Sequence, residues 1–540
     1  MPKFRRINQG PTGKDWMKYR PYEQFSSYDG DYLKLVKKAY QYLSHPKQGF
    51  QLLFEREMLI DMAVILGSYV EDSINEIGLW KAFQRKNKEL YGYALPFYDL
   101  EDYDPDYLNP QDFAYLIWYH LGKMAHKTLD PYGEPILEVA NHLYDLFEEQ
   151  IDELPSTDFY EQWLDLSADT FYFDLKMILD WMAFENYLLG PEFIPALQER
   201  IEEFFEDKPE LMQKVEPEMM IYGMKEDFLF TKNTSCCGLT AAEWLAEVAR
   251  CSEEVRTDVR NMTQRLPGMF LYEGHDEDSY HFSFVHTKRK FAICRESMDL
   301  ELSQMTAGEE LAVFNIVPWQ GKWWLSGTYM AWGKKDKDLD KMRVDPQFQN
   351  FHGWSEDQQE KIREITQEME EAFLSYFGKR LVFFPDEKAL TKAMGDHNSW
   401  WNKHKTKSLP SDRKESKYIK LFQERSTGFE DLNLGSGSLA AFYVPGEGIS
   451  MSSLIPEVID LLQQKSLSTE QSHQLFYSFF YELDPSLAHY IAEHYAMGNL
   501  CHPMISGYAF VEMHFDFFLR YYNPSAFGEV VPMMSLLPEE

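Results

Sequence analysis

The hydrophobic period of this chain changes along its length, and that change constrains the class of fold. From Asp31 to about Asp227 the apolar residues recur at helical spacing. Ile136, Ala140, Leu143 and Phe147 line one face after Pro135, with Glu138, Asp145, Glu149 and Asp152 on the other. Ile194, Leu197, Ile201, Phe204 and Phe205 repeat the scheme against Glu199, Glu202, Glu203 and Glu206, with Pro195 placed in the first turn. After Leu266-Pro267-Gly268 the period becomes two. Tyr280, Phe282 and Phe284 alternate with His281, Ser283 and Val285, and Phe291 with Ile293 continues. Leu311 to Pro318 and Trp323 to Trp332 form a further pair around Gln320-Gly321. Beyond Ser355 helical spacing returns, with Gln358 completing a capping box and Gly378 closing the helix. Leu381 to Phe384 and Leu439 to Val444 read as strands, and helices run on to Tyr522.

This pattern predicts a multidomain α+β protein. An acidic all-α N-terminal domain precedes a small central antiparallel β-sheet or barrel, and an α+β C-terminal domain follows. The expected boundaries are a basic N-terminal arm at 1–24, an acidic helical domain at 25–232, a helix with a small β-domain at 233–335, and the C-terminal domain at 336–540 with a basic linker at 403–425.

Charge separates these parts. The net charge over 540 residues is -35, and residues 91–210 alone hold 28 Asp and Glu against 5 Lys and Arg. An acidic field of this size opposes nucleic acid and anionic lipid and suits a basic protein partner. The plainer reading, and the favoured one, is a solvated face that keeps the chain in solution. The basic residues of the first 24 positions either dock on an acidic partner or pack on this chain's own acidic helices, and the second is favoured. Five cysteines in so long a chain exclude a disulfide scaffold. No apolar stretch follows the basic start, and Met58 to Val70 is interrupted by Asp61, so neither a signal peptide nor a membrane span is expected. The expected setting is cytoplasmic, with reduced thiols.

Catalytic motifs fail one by one. Gly13-Lys14 ends a P-loop pattern, but Asn8 replaces its first glycine and Asp15 its Ser or Thr. Asp102, Asp104 and Asp106 have calcium-loop spacing, but Tyr107 and Phe113 stand where Gly and Glu are needed. His489 to His494, with Glu493 between them, is one residue too long for an inverted zincin motif. Those residues with Cys501 and His502 are the candidate metal group, and ordinary histidines are the favoured reading. Glu57 with Asp61, and Asp72 with Glu76, are carboxylate pairs that lack the Glu-x-x-His partners of a di-metal bundle. Cys236-Cys237 fits no zinc or thioredoxin pattern. Trp319, Trp323, Trp324 and Trp332 fall in one hairpin and are the candidate ligand or partner residues, because an exposed Trp stacks on rings and sugars. No cofactor is indicated by any motif.

Asp15-Trp16-Met17-Lys18-Tyr19-Arg20-Pro21-Tyr22, Tyr69-Val70-Glu71-Asp72, Leu79-Trp80-Lys81-Ala82-Phe83, Leu90-Tyr91-Gly92 and the Leu116-Ile117-Trp118-Tyr119 centre of 113–121 give the first 150 residues a distinct wording. In these segments the chain resembles a family of uncharacterised bacterial proteins, a domain of unknown function. The resemblance implies a bacterial setting and assigns no catalytic or binding residue. The leading functional expectation is a non-catalytic interaction protein, an adaptor or regulator, using the acidic helical face and the Trp-rich hairpin. The alternatives are a metal-dependent hydrolase built on the C-terminal His, Glu and Cys residues, and a small-ligand sensor using the hairpin.

Overall fold

Helix Arg56–Asn75 explains the first part of the fold. Most of its side chains between Leu59 and Asp72 are buried, so it is enclosed on all sides and other helices must surround it. Helix Ser27–Leu43 approaches closely at Gly67, where a Cβ would sit 2.4 Å from a Val36 methyl. Helices Pro110–Met124 and Glu134–Glu148 continue the packing. The structure, a computed structural model, describes residues 10–207, 216–298, 306–334, 339–345, 349–405, 437–534 and 536. It divides into two compact units, residues 1–263 with 502–525, and residues 264–501 with 526–540.

The first unit is helical. Described residues 10–24 are packed rather than extended as an arm. Helix Gly13–Met17 buries Trp16 completely, and Arg20 is buried too. Lys18 pairs with Asp61 at 2.9 Å and Arg20 with Glu71 at 2.7 Å, so this basic stretch packs on the chain's own acidic helices. Helix Gly190–Asp207 starts earlier than its apolar spacing suggests, which leaves Pro195 inside it. Residues 233–263 pack in this unit: helix Ala241–Val248 contacts helices Leu79–Tyr91 and Tyr172–Phe184.

Residues 502–525 complete the same unit from far along the chain. Helix Phe515–Tyr522 places Phe517 and Phe518 with ring centroids 5.2 and 6.0 Å from Phe97. Tyr521 lies 5.0 Å from Trp118. Helical spacing identifies this helix but says nothing about which unit its rings enter.

The second unit holds a closed five-stranded barrel of β1 (Leu266–His275), β2 (Ser279–Phe284), β3 (Lys290–Cys294), β4 (Glu310–Trp319) and β5 (Lys322–Lys334), in the order β1-β2-β3-β5-β4. All pairings are antiparallel except β3 with β5, so the sheet is mixed. β1 begins within Leu266-Pro267-Gly268, because Gly268 is a packing residue there. A Cβ on it would meet the Phe284 ring at 2.3 Å. The interior is aromatic, with Phe270 stacked on Phe314 at 4.4 Å.

The α+β remainder of this unit has an antiparallel sheet of β6 (Leu381–Phe384), β7 (Leu439–Val444) and β8 (Gly448–Ser452), in the order β6-β7-β8. Helices Glu356–Phe377, Glu387–Lys405 and Leu454–Gln463 pack on it. Ser355 with Gln358 and Gly378 form the expected caps. Lys403 ends up in helix Glu387–Lys405, and residues 406–425 of the expected basic linker lie outside the described residues.

Removal of the Phe518 ring tests the role of the returning segment. Phe518→Ala is expected to cost about 3–5 kcal/mol and to speed amide exchange in helix Pro110–Met124. A loss below about 1 kcal/mol with unchanged exchange contradicts it.

Candidate functional site

The hairpin tryptophans have different surroundings. Trp319 and Trp324 are buried, and the Trp324 indole N–H donates to the Trp319 carbonyl at 3.2 Å. Trp323 packs on the barrel core, 5.1 Å from Phe291. Trp332 is 52% exposed and is the most open of the four.

The candidate metal residues also spread out. His489, Glu493 and His494 are exposed, and His494 stacks on Tyr490 at 4.0 Å while donating from Nδ1 to the Tyr490 carbonyl. Cys501 is half-buried, and His502 is buried in the first unit. Among the described residues no three His, Cys, Asp or Glu side chains come together to hold a metal ion. The Glu57 and Asp61 pair is spread over Arg56 and Lys18, and Asp106 pairs with Lys81.

The richest polar chemistry lies inside the first unit, on the segments that carry the family wording. Arg20 stacks 3.5 Å above Trp16, and its Nη1 donates to the Tyr19 carbonyl and Ser68 Oγ. Burial raises the Glu71 carboxyl, and the Arg20 guanidinium draws it back towards ionisation. Tyr28 donates to Glu71 at 2.8 Å, and Tyr160 lies at 3.4 Å. Asp29 accepts from Trp16 Nε1 and Tyr22, both at 2.9 Å. Burial opposes its charge, but these bonds and those from Ser26 leave its pKa lowered. Asp72 accepts from Tyr187 at 2.7 Å and from the backbone N–H groups of Gly78 and Trp80. Asp112 accepts from Tyr69 and Tyr103, each at 2.6 Å. Burial still pushes it up to about 6.

Each of these buried carboxylates therefore has tyrosine or tryptophan donors aimed at it. In a low-dielectric interior such bonds offset lost hydration. Sequence reading flagged Asp72 only as half of a carboxylate pair and missed Asp112, because its donors are 9 and 43 positions away.

A second cluster joins distant segments. Lys123 Nζ donates to Ser235 Oγ at 2.6 Å and to the Tyr521 carbonyl at 3.1 Å. Ser235 Oγ donates to Glu192 at 3.1 Å, as does the Tyr119 hydroxyl at 2.9 Å. Cys236 Sγ lies 3.1 Å from the Tyr119 oxygen. Burial lowers the Lys123 pKa and raises that of Cys236. A Ser–Lys pair is a known nucleophile and base. Here the hydroxyl proton goes to Glu192, and Ser235 is 2% exposed. The cluster locks helix Pro110–Met124 to the 233–239 loop and the returning segment. The vicinal cysteines were its only mark in the sequence.

The surface carboxylates behave differently. On helix Gly190–Asp207, Glu199, Glu202, Glu203 and Glu206 are all exposed and make no ion pair with a described residue. On helix Glu134–Glu148, Glu138 and Asp145 are likewise exposed. No described helix is long and apolar enough to cross a membrane.

Residues 12–279 match a family described as "Protein of unknown function (DUF3843)". The match takes in just under half of the chain. No curated protein and no solved structure gives a significant match. The family segment carries Arg20, Glu71, Asp72, Asp112 and Glu192, and ends after β1. It leaves out residues 502–525, which complete the unit.

The buried histidines of this unit set its acid response. Burial pulls the pKa of His120 down to about 3, and those of His502 and His514 down to about 4. The unfolded chain protonates each near 6.5, so it binds more protons below that pH and stability falls on acidification. Each contributes a loss of about 2 kcal/mol between pH 7 and 5. Asp112 has the opposite sign, and over the same range it gains about 1.3 kcal/mol. Urea unfolding is expected to show lower stability at pH 5 than at pH 7. In His120→Leu the difference should shrink by about 2 kcal/mol; an unchanged difference contradicts the assignment.

Proposed function

We propose that this is a non-catalytic interaction protein, an adaptor or regulator, whose acidic helical surface takes a basic segment of a partner protein. The observation that carries this reading is the contrast between the two sets of carboxylates. The buried ones are committed to internal donors, whereas Glu199, Glu202, Glu203 and Glu206 face solvent, make no ion pair with a described residue and have Arg200 as the one cation within their helix. Like charges three and four residues apart on a helix cost about 0.2–0.5 kcal/mol per pair. All four fall within about one Debye length of each other. A cationic partner relieves that repulsion and gains from the same field. The field disfavours nucleic acid and anionic membranes as partners, and the proposed setting is the cytoplasm. Trp332 offers a second, smaller contact on the barrel.

Replacing the four glutamates by glutamine tests the reading. The variant is expected to melt at or above the wild-type Tm, because local repulsion is removed. Native mass spectrometry of tagged protein from its own host is expected to show a basic co-purifying protein with wild type and none with the variant. A lower Tm, or a partner held equally by both, contradicts the proposal.

A further inference from the structure

Helices Tyr172–Phe184 and Pro217–Thr231 pack against each other and against helix Gly190–Asp207. Where the first two meet, apolar side chains lie open. Phe173 and Met177, one turn apart, are 40% and 53% exposed, and Met219 and Tyr222 are 40% and 42% exposed. The two pairs adjoin, because Lys176 Nζ is 2.8 Å from the Tyr222 hydroxyl. Neighbouring cations are already neutralised: Lys176 pairs with Glu226 at 2.6 Å and Lys225 with Asp180 at 2.9 Å. Close to these residues in sequence, Asp169, Asp174, Glu216 and Glu218 are exposed as well. The patch is thus apolar, with anionic neighbours in both segments.

Resting on the acidic-face reading above, we infer that this patch docks the apolar face of a Lys- and Arg-rich amphipathic helix from a partner protein. A helix of that kind presents anchors at i, i+3, i+4 and i+7 to such a surface while its cations meet those carboxylates. Two methionines give the surface the adaptability that such grooves use. Charge complementarity selects this occupant over an acidic or neutral helix.

The test uses the full-length protein and two labelled peptides of ~18 residues, both composed of Leu and Lys. One has leucines at helical amphipathic spacing, and the other has them scrambled. The amphipathic peptide is expected to bind at least about tenfold more tightly. Met177→Ser/Met219→Ser is expected to remove that advantage while leaving the far-UV circular dichroism unchanged. Met177→Lys, at an exposed position, is expected to weaken both peptides and the amphipathic one more. Equal affinity of the two peptides for wild type overturns the patch and leaves the acidic-face reading standing. Failure of both peptides to bind overturns both readings. A concentration-dependent dimer in sedimentation, lost in the serine variant, with no preference for the amphipathic peptide, assigns the patch to a second copy and overturns the inference.

Discussion

The ion pair between Arg20 and Glu71 is the constraint around which the first unit is arranged. Both side chains are about 1% exposed and their charged groups are 2.7 Å apart. Desolvating two such charges costs several kcal/mol each, and close pairing with further hydrogen bonds must offset it. Those further bonds define the neighbourhood. Trp16 lies under the guanidinium, Ser68 and the Tyr19 carbonyl accept from it, and Tyr28 donates to the carboxylate. Asn75 then links Tyr28 and Tyr32 to the backbone of Thr157. One buried pair thereby ties residues 10–24, helix Arg56–Asn75 and the 155–160 segment into one arrangement.

The same logic separates the acidic residues into two populations. Glu71, Asp72 and Asp112 are held by tyrosines inside, and their chemistry is used up in that holding. Glu199, Glu202, Glu203 and Glu206 of helix Gly190–Asp207 have no such donors and face solvent. The Lys123, Ser235 and Glu192 cluster belongs to the first population, since it fastens the returning helix Phe515–Tyr522 through the Tyr521 carbonyl. Function on this account sits on the outer faces of the helices.

Local patterns carried much of the fold into the sequence. The helical faces, the capping boxes at Thr240 and Ser355 and the alternation of the barrel strands all depend on neighbours within a few positions. What escaped is non-local. Packing of the basic stretch on the chain's own acidic helices was the favoured expectation, but the particular partner of Arg20 lies 51 positions away and had no local signal. The alternation is legible only beyond Leu266-Pro267-Gly268, because only the Phe284 ring reveals why a glycine is needed in a strand. Helix Phe515–Tyr522 is legible as a helix, whereas its place beside Phe97 and Trp118 is not. The buried tyrosine–carboxylate network was invisible for the same reason, and sequence attention went to the C-terminal histidines and the Trp hairpin instead.

A double-mutant cycle at Arg20 and Glu71 tests the central claim most directly. Arg20→Met, Glu71→Gln and the double variant would be unfolded in urea alongside wild type. A buried pair predicts that each single change costs about 3–5 kcal/mol. The double change should then cost clearly less than the sum, with a coupling of about 2–3 kcal/mol. Additive losses within about 0.5 kcal/mol would show that the two charges do not depend on each other. The account of how this unit is held together would then fail.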